Sequence, residues 1–249
     1  MGGVRRDESV ACCLLFTGPA PVVHHTSWPY AYCSDVRDEY RADLVEVNRM
    51  LVAMAEAVRM AMRRATGALL SVDQTDAEEV IARDAEIDAL YRLVEDKVYD
   101  LLARQAPVAS DLRVVFTAIH VAADLERMGD LAEHVARTAL RRHPICAVPD
   151  VLSSIFEEMG SVADRIAEKI TAAISTSDIV AAAQLDRDDD AMDALHHQLF
   201  EQMFDPKFTE GTEAAVDNAL LGRFYERYAD HAVNAGRHVV FLVTGESQT

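Results

Sequence analysis

The residues with the clearest chemical potential are acids that recur four positions apart. Glu126 and Asp130 stand in the sequence LERMGD, and Glu226 and Asp230 stand in the later sequence YERYAD. Residues four apart lie on the same face of an α-helix. Carboxylates held close together repel one another unless a proton, an arginine or a bound cation offsets their charge.

A second pair of acids has the same spacing and is also duplicated. Asp84 and Asp88 stand in the sequence RDAEID, and Asp189 and Asp193 stand in DDAMD. On a helical wheel each pair falls on a stripe of apolar residues, which directs the acids towards a neighbouring helix. Each half of the chain should therefore bring one D-x-x-x-D pair and one E-x-x-x-D pair to a common seam between two helices.

Clusters of carboxylate oxygens suit hard or borderline metals such as Mg, Mn, Ca and Fe. The duplicated pattern therefore predicts a metal site in each half of the chain. The predicted ligands are Asp84, Asp88, Glu126 and Asp130 in the first half and Asp189, Asp193, Glu226 and Asp230 in the second. The alternative is that arginines neutralise these acids in surface ion pairs. The arginines in question are Arg83, Arg127, Arg187 and Arg227.

Two histidines are weaker candidates for metal ligands. His196 follows Asp193 by three residues, and His134 follows Asp130 by four. A single histidine on a helix is more often a polar filler than a ligand. His196 occupies the position that Tyr91 holds in the first half, so the two halves do not share this residue.

Long helices must position these acids. Gly and Pro are scarce, and apolar residues recur at three- and four-residue steps, which is typical of amphipathic helices. We predict six helices, at about 36–70, 75–104, 110–142, 150–175, 177–204 and 212–244. Because the connections are short, the helices should run antiparallel in bundles. The expected fold is all-α, with two tandem three-helix bundles at residues 36–143 and 149–245 related by a pseudo-twofold internal repeat.

The overall composition narrows the possible functions. The chain has 249 residues and a formal net charge of −18, which disfavours nucleic-acid binding. No apolar run approaches the roughly 20 residues of a membrane-spanning helix, so we expect no membrane insertion. The four cysteines contain no C-x-x-C pair, which argues against a structural zinc site. We expect a reducing, cytoplasmic setting.

Residues 1–35 differ from the remainder of the chain. They contain the only Trp and three of the four cysteines, and they show no helical period. The apolar run from Val10 to Phe16 is short for a signal peptide, and acids interrupt the basic residues before it. We expect this segment to be a disordered tail or an upstream extension from a misassigned start, with Val36 as a plausible true start.

One further motif identifies a family. The sequence RQAPVASDLR, at residues 104–113, stands between the predicted second and third helices. Together with D-x-x-I-D on the second helix, LERMGD and ERYAD, it resembles the PhoU family, bacterial regulators of phosphate uptake and signalling. The resemblance covers about residues 36–245. The segment from Leu185 to Leu195 and the last helix look most like the actinobacterial branch.

The resemblance implies multinuclear sites for divalent or trivalent metal ions, such as Fe, Mn, Mg or Zn, at the paired acids. It implies repression of phosphate-starvation signalling when phosphate is plentiful. The partners that it implies are the ATP-binding subunit of the phosphate ABC transporter and a phosphate sensor histidine kinase. The second repeat has Ala229 where the family often has Gly, which could crowd the second site.

We therefore expect a cytoplasmic adaptor that is not an enzyme and that forms a homodimer. The main alternative is a carboxylate-bridged di-metal enzyme of the helical-bundle type. Such enzymes place E-x-x-H motifs on two facing helices. This chain has only Asp193 and His196 at that spacing, in one half. A purely structural helical scaffold without metal is a third possibility.

Overall fold

Apolar periodicity organises the chain into helices that pack side by side. The computed structural model describes residues 30–105 and 107–246, and it describes the side chains of residues 38–104 and 107–246. The helices are α1 (Tyr30–Ser71), α2 (Gln74–Gln105), α3 (Ser110–Arg142), α4 (Asp150–Thr176), α5 (Ile179–Ala183), α6 (Leu185–Phe204) and α7 (Gly211–Thr244). The described residues contain no β-strand. The predicted all-α fold with six long helices is confirmed.

Two helix boundaries differ from the predicted ones. Helix α1 begins at Tyr30 and not near residue 36. The rest of the predicted N-terminal extension, residues 1–29, lies outside the described residues. The predicted fifth helix is divided at Gln184 into α5 and α6. Its sequence contains no breaker there, but Ala182 and Leu185 both lie against Gly236 of α7, and the bend lets both side chains pack.

Packing of related helices upon one another joins the two halves. Helix α3 lies antiparallel to its counterpart α7, since Asp124 contacts Asn234 while Arg141 contacts Asp217. Helix α2 packs on α3, and α6 packs on α7 and α4. The chain from Asp38 onward forms one compact unit. The two repeats therefore share a core.

Helix α1 packs on its counterpart α4 through a part-buried ion pair. Arg59 donates from Nε to Oδ1 of Asp164 over 2.7 Å and from Nη2 to Oδ2 over 3.0 Å. The Arg59 guanidinium lowers the pKa of the Asp164 carboxyl. Two-point arginine–carboxylate contacts fix orientation as well as charge, so this pair sets how α1 lies on α4.

A buried hydroxyl pair ties α1 to α7 beside this contact. Thr66 donates to the carbonyl of Met62 over 2.8 Å, so Tyr225 donates its hydroxyl proton to Thr66 over 2.7 Å. Gly160 of α4 faces the same threonine, and a Cβ there would lie 2.5 Å from Thr66 Cγ2. The absence of a side chain at Gly160 therefore lets α4 approach α1.

No helix in the described part of the chain is long and apolar enough to cross a membrane.

We predict that Gly160→Ala destabilises the fold by about 1–3 kcal/mol, because Thr66 is held by two hydrogen bonds and cannot move aside freely. The matched control is Gly67→Ala, one residue after Thr66 on the exposed face of α1, where a Cβ meets nothing within 4 Å. That control should stabilise the helix by up to about 1 kcal/mol. Urea unfolding of both variants measures the difference, and equal stabilities would contradict this account.

Candidate metal sites

The first acidic seam consists of Asp84 and Asp88 on α2 and Glu126 and Asp130 on α3. The two helices approach closely because Gly129 carries no side chain. A Cβ on Gly129 would lie 3.0 Å from Ile87 Cδ1 and 3.5 Å from Asp84 Oδ1. Apolar packing of Ile87, which is 3% exposed, thus holds the Asp84 carboxylate against the backbone of α3.

The acids of the first seam act on one another electrostatically. Burial and then the nearby charges of Glu133, Asp130, Asp88 and Glu126, in that order of importance, together raise the pKa of Asp84 to about 6. Burial and then Asp130 also raise the pKa of Glu126. The structure therefore brings the four predicted acids of this half into one electrostatic group.

Glu133 belongs to this group and was missed by the sequence reasoning. It lies three residues after Asp130, outside the E-x-x-x-D spacing, and its side chain is 14% exposed. Arg137 pairs with it at 2.6 Å. Its only signal in the sequence is a place on the same helical face as Asp130.

Arg127 neutralises part of the first seam, as the alternative interpretation expects, whereas Arg83 pairs with Glu79 and Glu86. Arg127 lies 2.7 Å from Asp130 and 3.4 Å from Glu126, and Arg92 lies 3.3 Å from Asp88. Both arginine side chains are mostly exposed, and exposed ion pairs contribute little free energy. Asp84 forms no ion pair with any residue that the structure describes. A proton or a bound cation would therefore have to offset the negative charge of the Asp84 carboxylate.

The second acidic seam consists of Asp189 and Asp193 on α6 and Glu226 and Asp230 on α7. Burial and then the charges of Asp230, Asp193 and Asp186 raise the pKa of Asp189 to about 6, against the opposing effect of Arg237. Burial and Asp230 also raise the pKa of Glu226, against the opposing effect of Arg223. Asp189 is the counterpart of Asp84, so the carboxyl at this position has a raised pKa in both halves.

The two helices of the second seam make their close approach at a different position from those of the first seam. Ala229, the counterpart of Gly129, is fully buried. Close approach of α6 and α7 occurs at Gly222, where a Cβ would lie 2.5 Å from Leu199 Cδ2 and 3.0 Å from His196 Cδ2. Asp193 and Asp230 are exposed, whereas their counterparts in the first seam are half-buried. The second seam is therefore the more open of the two.

Comparison with known proteins places the chain in a family. A model of the PhoU domain matches the chain twice, over residues 51–139 and 156–239. The chain belongs to the PhoU family. It is 45% identical over 210 residues to the phosphate-specific transport system accessory protein PhoU homolog 2 of Mycobacterium tuberculosis, covering 84% of this chain and 99% of the relative. It is 44% identical to the PhoU homolog 1 of Mycobacterium leprae, covering 84% and 95%.

Solved PhoU structures share the fold. PhoU from Pseudomonas aeruginosa aligns with a TM-score of 0.75 at 28% identity, covering 83% of this chain and 100% of that one. The phosphate transport system regulatory protein PhoU from Streptococcus pneumoniae aligns with a TM-score of 0.75 at 25% identity, covering 84% and 99%. The resemblance seen in the sequence, including its actinobacterial character, is confirmed. The repeat boundaries 36–143 and 149–245 stay a prediction.

The PhoU signature RQAPVASDLR ends in a residue that contacts the far end of the chain. The guanidinium of Arg113, at the start of α3, lies over the ring of Phe241 at 5.5 Å from its centroid. A Cβ on Gly245 would lie 2.5 Å from Arg113 Nη1. This arginine therefore secures the end of α7 against the start of α3.

The donor chemistry of both seams fits a hard cation, but the side chains do not converge on one point. Nowhere among the described residues are three or more His, Cys, Asp or Glu side chains arranged to hold a metal ion. Each seam nevertheless gathers four carboxylates. Among the described residues, one of the four in the first seam and three of the four in the second form no ion pair with an arginine. The eight predicted ligands stay a prediction.

A buried polar cluster between α3 and α7 was also missed. Asp124, 7% exposed, accepts from Asn234 Nδ2 over 2.9 Å and lies 3.0 Å from His231 Nδ1. His238 Nε2 lies 3.8 Å from the same carboxylate, and its ring stacks on His120 at 4.8 Å. The partners come from opposite repeats, so no spacing in the sequence marks the cluster. It holds the two halves together.

His134, the weaker ligand candidate of the first half, packs elsewhere. Its ring lies 5.2 Å from the ring of Phe224. The residue is exposed, which fits a surface contact between α3 and α7.

The pKa values of Asp84 and Asp189 predict how stability depends on pH in the metal-free protein. Because their folded pKa values of about 6 lie above the ordinary 3.8, the folded chain binds these protons more tightly than the unfolded chain. This stabilisation is complete below about pH 4 and is lost as the pH rises through 6. The double variant Asp84→Asn/Asp189→Asn should therefore be more stable than wild type at pH 7.5, by about 1–3 kcal/mol after screening by solvent.

Urea unfolding between pH 4.5 and 7.5 measures this effect. The matched control is Asp96→Asn, an exposed acid on α2 that should leave the pH profile unchanged. If the double variant and the wild type showed the same dependence of stability on pH, the half-buried carboxyls of Asp84 and Asp189 would not be its source.

Proposed function

We propose that this chain is a cytoplasmic regulator that restrains phosphate uptake and phosphate-starvation signalling, and that it is not an enzyme. Relatives at 44–45% identity over most of the chain are named accessory proteins of the phosphate-specific transport system. The metal-dependent part is supported by the four carboxylates that two packed helices bring together in each half, with the pKa of Asp84 and of Asp189 raised to about 6. We further propose that each seam binds divalent or trivalent metal ions such as Fe, Mn, Mg or Zn.

The chain's own residues define what such a cation would meet. Asp84, Asp88, Glu126 and Asp130 would hold it in the first seam, and Asp189, Asp193, Glu226 and Asp230 in the second. A bound cation would supply the positive charge that a proton supplies to Asp84 and Asp189 in its absence. Arg127 and Arg223 would turn outward, because they compete for Asp130 and Glu226.

The proposed partners are the ATP-binding subunit of the phosphate ABC transporter and a phosphate sensor histidine kinase, and the working unit is proposed to be a homodimer. Long helices offer extended faces to such partners, since the 33 residues of α3 span about 50 Å at the rise of an α-helix. The net charge of −18 favours basic surfaces on the partners. A cation bound in the first seam would make the packing of α2 on α3 more rigid, and one bound in the second seam would do the same for α6 on α7.

Converting the first seam to amides tests the metal assignment. Asp84→Asn, Asp88→Asn, Glu126→Gln and Asp130→Asn together keep side-chain size and should lower bound Mn or Fe by about half, because the second seam is untouched. Elemental analysis of the purified, metal-loaded protein measures this. A control set on exposed acids, Asp96→Asn with Asp190→Asn, should leave metal content unchanged. Unchanged metal content in the seam variant would refute the site.

A pull-down at high and low phosphate tests the partner assignment. The full chain should retain the transporter ATP-binding subunit and the sensor kinase, and the variant with amides in both seams should retain less of each. If the wild-type chain retained neither partner, the proposed adaptor role would be wrong. Oxygen consumption or phosphatase turnover by the metal-loaded protein would instead favour the di-metal enzyme.

A further inference from the structure

Aromatic side chains follow the acids along the surface of α6 that borders α7. Phe200 stands two turns after Asp193, and Phe204 stands one turn further on, so all three lie on one side of the helix. The two phenylalanine rings lie 5.9 Å apart, and the ring of Phe200 also contacts His196, with centroids 5.1 Å apart. Phe204 is 79% exposed. The last two turns of α6 therefore present aromatic surface to solvent.

The register between α6 and α7 shows which part of α7 lies beside these rings. Gly236 faces Leu185, and Gly222 faces Leu199, so the two helices are antiparallel. The first three turns of α7 therefore lie beside the last two turns of α6. This region and the second acidic seam lie on opposite sides of the close approach at Gly222.

Two aliphatic side chains of α7 complete an exposed apolar patch. The register places Leu220 level with Phe200 and Val216 level with Phe204. Val216 is 53% exposed and Leu220 is 47% exposed. Phe200, Phe204, Val216 and Leu220 together form the apolar patch. Contiguous exposed apolar surface with a polar rim is typical of a site of protein–protein contact.

The corresponding surface of the first repeat is more polar. Its four residues are Glu95, Tyr99, Phe116 and His120. Glu95 accepts a hydrogen bond from Tyr91 over 3.0 Å, and His120 stacks on a histidine of α7. The continuous apolar patch is therefore a property of the second repeat alone, and duplication of the helices does not account for it.

The charges around the apolar patch are mainly negative. Residues 185–230 contain twelve acids and four arginines or lysines. Arg223 pairs with Glu226, whereas the exposed Asp193 and Asp230 form no ion pair with any residue that the structure describes. Such a surface attracts cationic groups and repels anionic ones. It therefore disfavours both an anionic lipid surface and a second copy of this chain, which would itself carry a charge of −18.

We propose that the apolar patch binds a basic amphipathic helix of a partner protein, whose apolar face covers the patch while its lysines or arginines approach Asp193 and Asp230. Amphipathic helices bind apolar grooves through anchors at three- and four-residue steps. The chain from Asp193 to Phe204 rises about 16 Å, so about three turns of a partner helix reach from the acids to the end of the patch. The inference rests on the proposed role as a regulator that binds partners, and it requires no metal.

Binding of a defined peptide tests the inference. The probe is a fluorescent 18-residue amphipathic helix of leucine and lysine, titrated with the full metal-free chain and followed by fluorescence anisotropy. The patch variant, Phe204→Ser with Leu220→Ser, removes two apolar contacts without changing the charge and should raise the Kd at least about tenfold. Both side chains are largely exposed, so the variant should fold, and urea unfolding checks this.

A matched variant and a second peptide serve as controls. Leu93→Ser with Val180→Ser changes two apolar side chains that are exposed elsewhere, on α2 and α5, and should bind the probe as wild type does. A leucine–glutamate peptide of the same pattern should bind at least about tenfold more weakly than the probe, and NaCl should weaken binding of the probe by screening the charges. Equal Kd values for wild type and the patch variant, or for the two peptides, would overturn the inference.

Two further measurements ask whether something else covers the apolar patch. If light scattering shows a wild-type dimer that the patch variant dissociates, a second copy covers the patch and the inference is wrong. If wild type binds phosphatidylglycerol vesicles and the patch variant does not, the patch binds lipid and the inference is wrong for that reason.

The pull-down at high and low phosphate separates this inference from the proposed function. If wild type retains its partners and the patch variant retains them equally well, only this inference fails. If wild type binds the probe through the patch and yet retains neither partner, the proposed function fails while the patch still binds basic helices.

Discussion

Repulsion between carboxylates held at two helix seams is the constraint on which the functional structure depends. Apolar packing fixes the spacing of the helices, and Ile87 against Gly129 shows how closely α2 and α3 approach. The separation of the carboxylates is therefore set by this apolar packing. Asp84 and Asp189 respond with pKa values of about 6, which stores a cost in the fold that a proton or a cation relieves. Carboxylate repulsion therefore lowers the stability of the metal-free fold at the two places where metal binding is proposed.

The two seams use the same acids with different surroundings. The first is narrow. Its carboxylates are half-buried, and the exposed arginines Arg92 and Arg127 pair with three of them. The second is more open, closes at Gly222, and contains an imidazole whose Nε2 finds no partner among the described residues. Duplication explains why the two seams share their acids, and the residues that differ between the repeats explain why the surroundings of those acids differ.

Contacts between the halves connect the seams physically. Asp124 lies two residues before Glu126, and its partner His231 follows Asp230, so one buried polar cluster touches helical segments of both seams. On the other side of the core, Arg59 with Asp164 and Thr66 with Tyr225 hold α1 to α4 and α7. A change in the spacing of either seam is therefore felt by helices of both repeats, since packed interiors transmit displacement.

The sequence by itself determined the helices, their duplication, the family and the four acids of each seam, because periodicity and i,i+4 spacing are local properties of one helix. Only the tertiary structure decided which acids lack arginines, how Glu133 joins the first group, and where α5 ends. It also revealed Asp124 with His231 and the unpartnered nitrogen of His196. Those features depend on which side chains two separate helices bring within a few ångströms of each other. The burial of a polar group and its distance from other charges are set only when the helices pack.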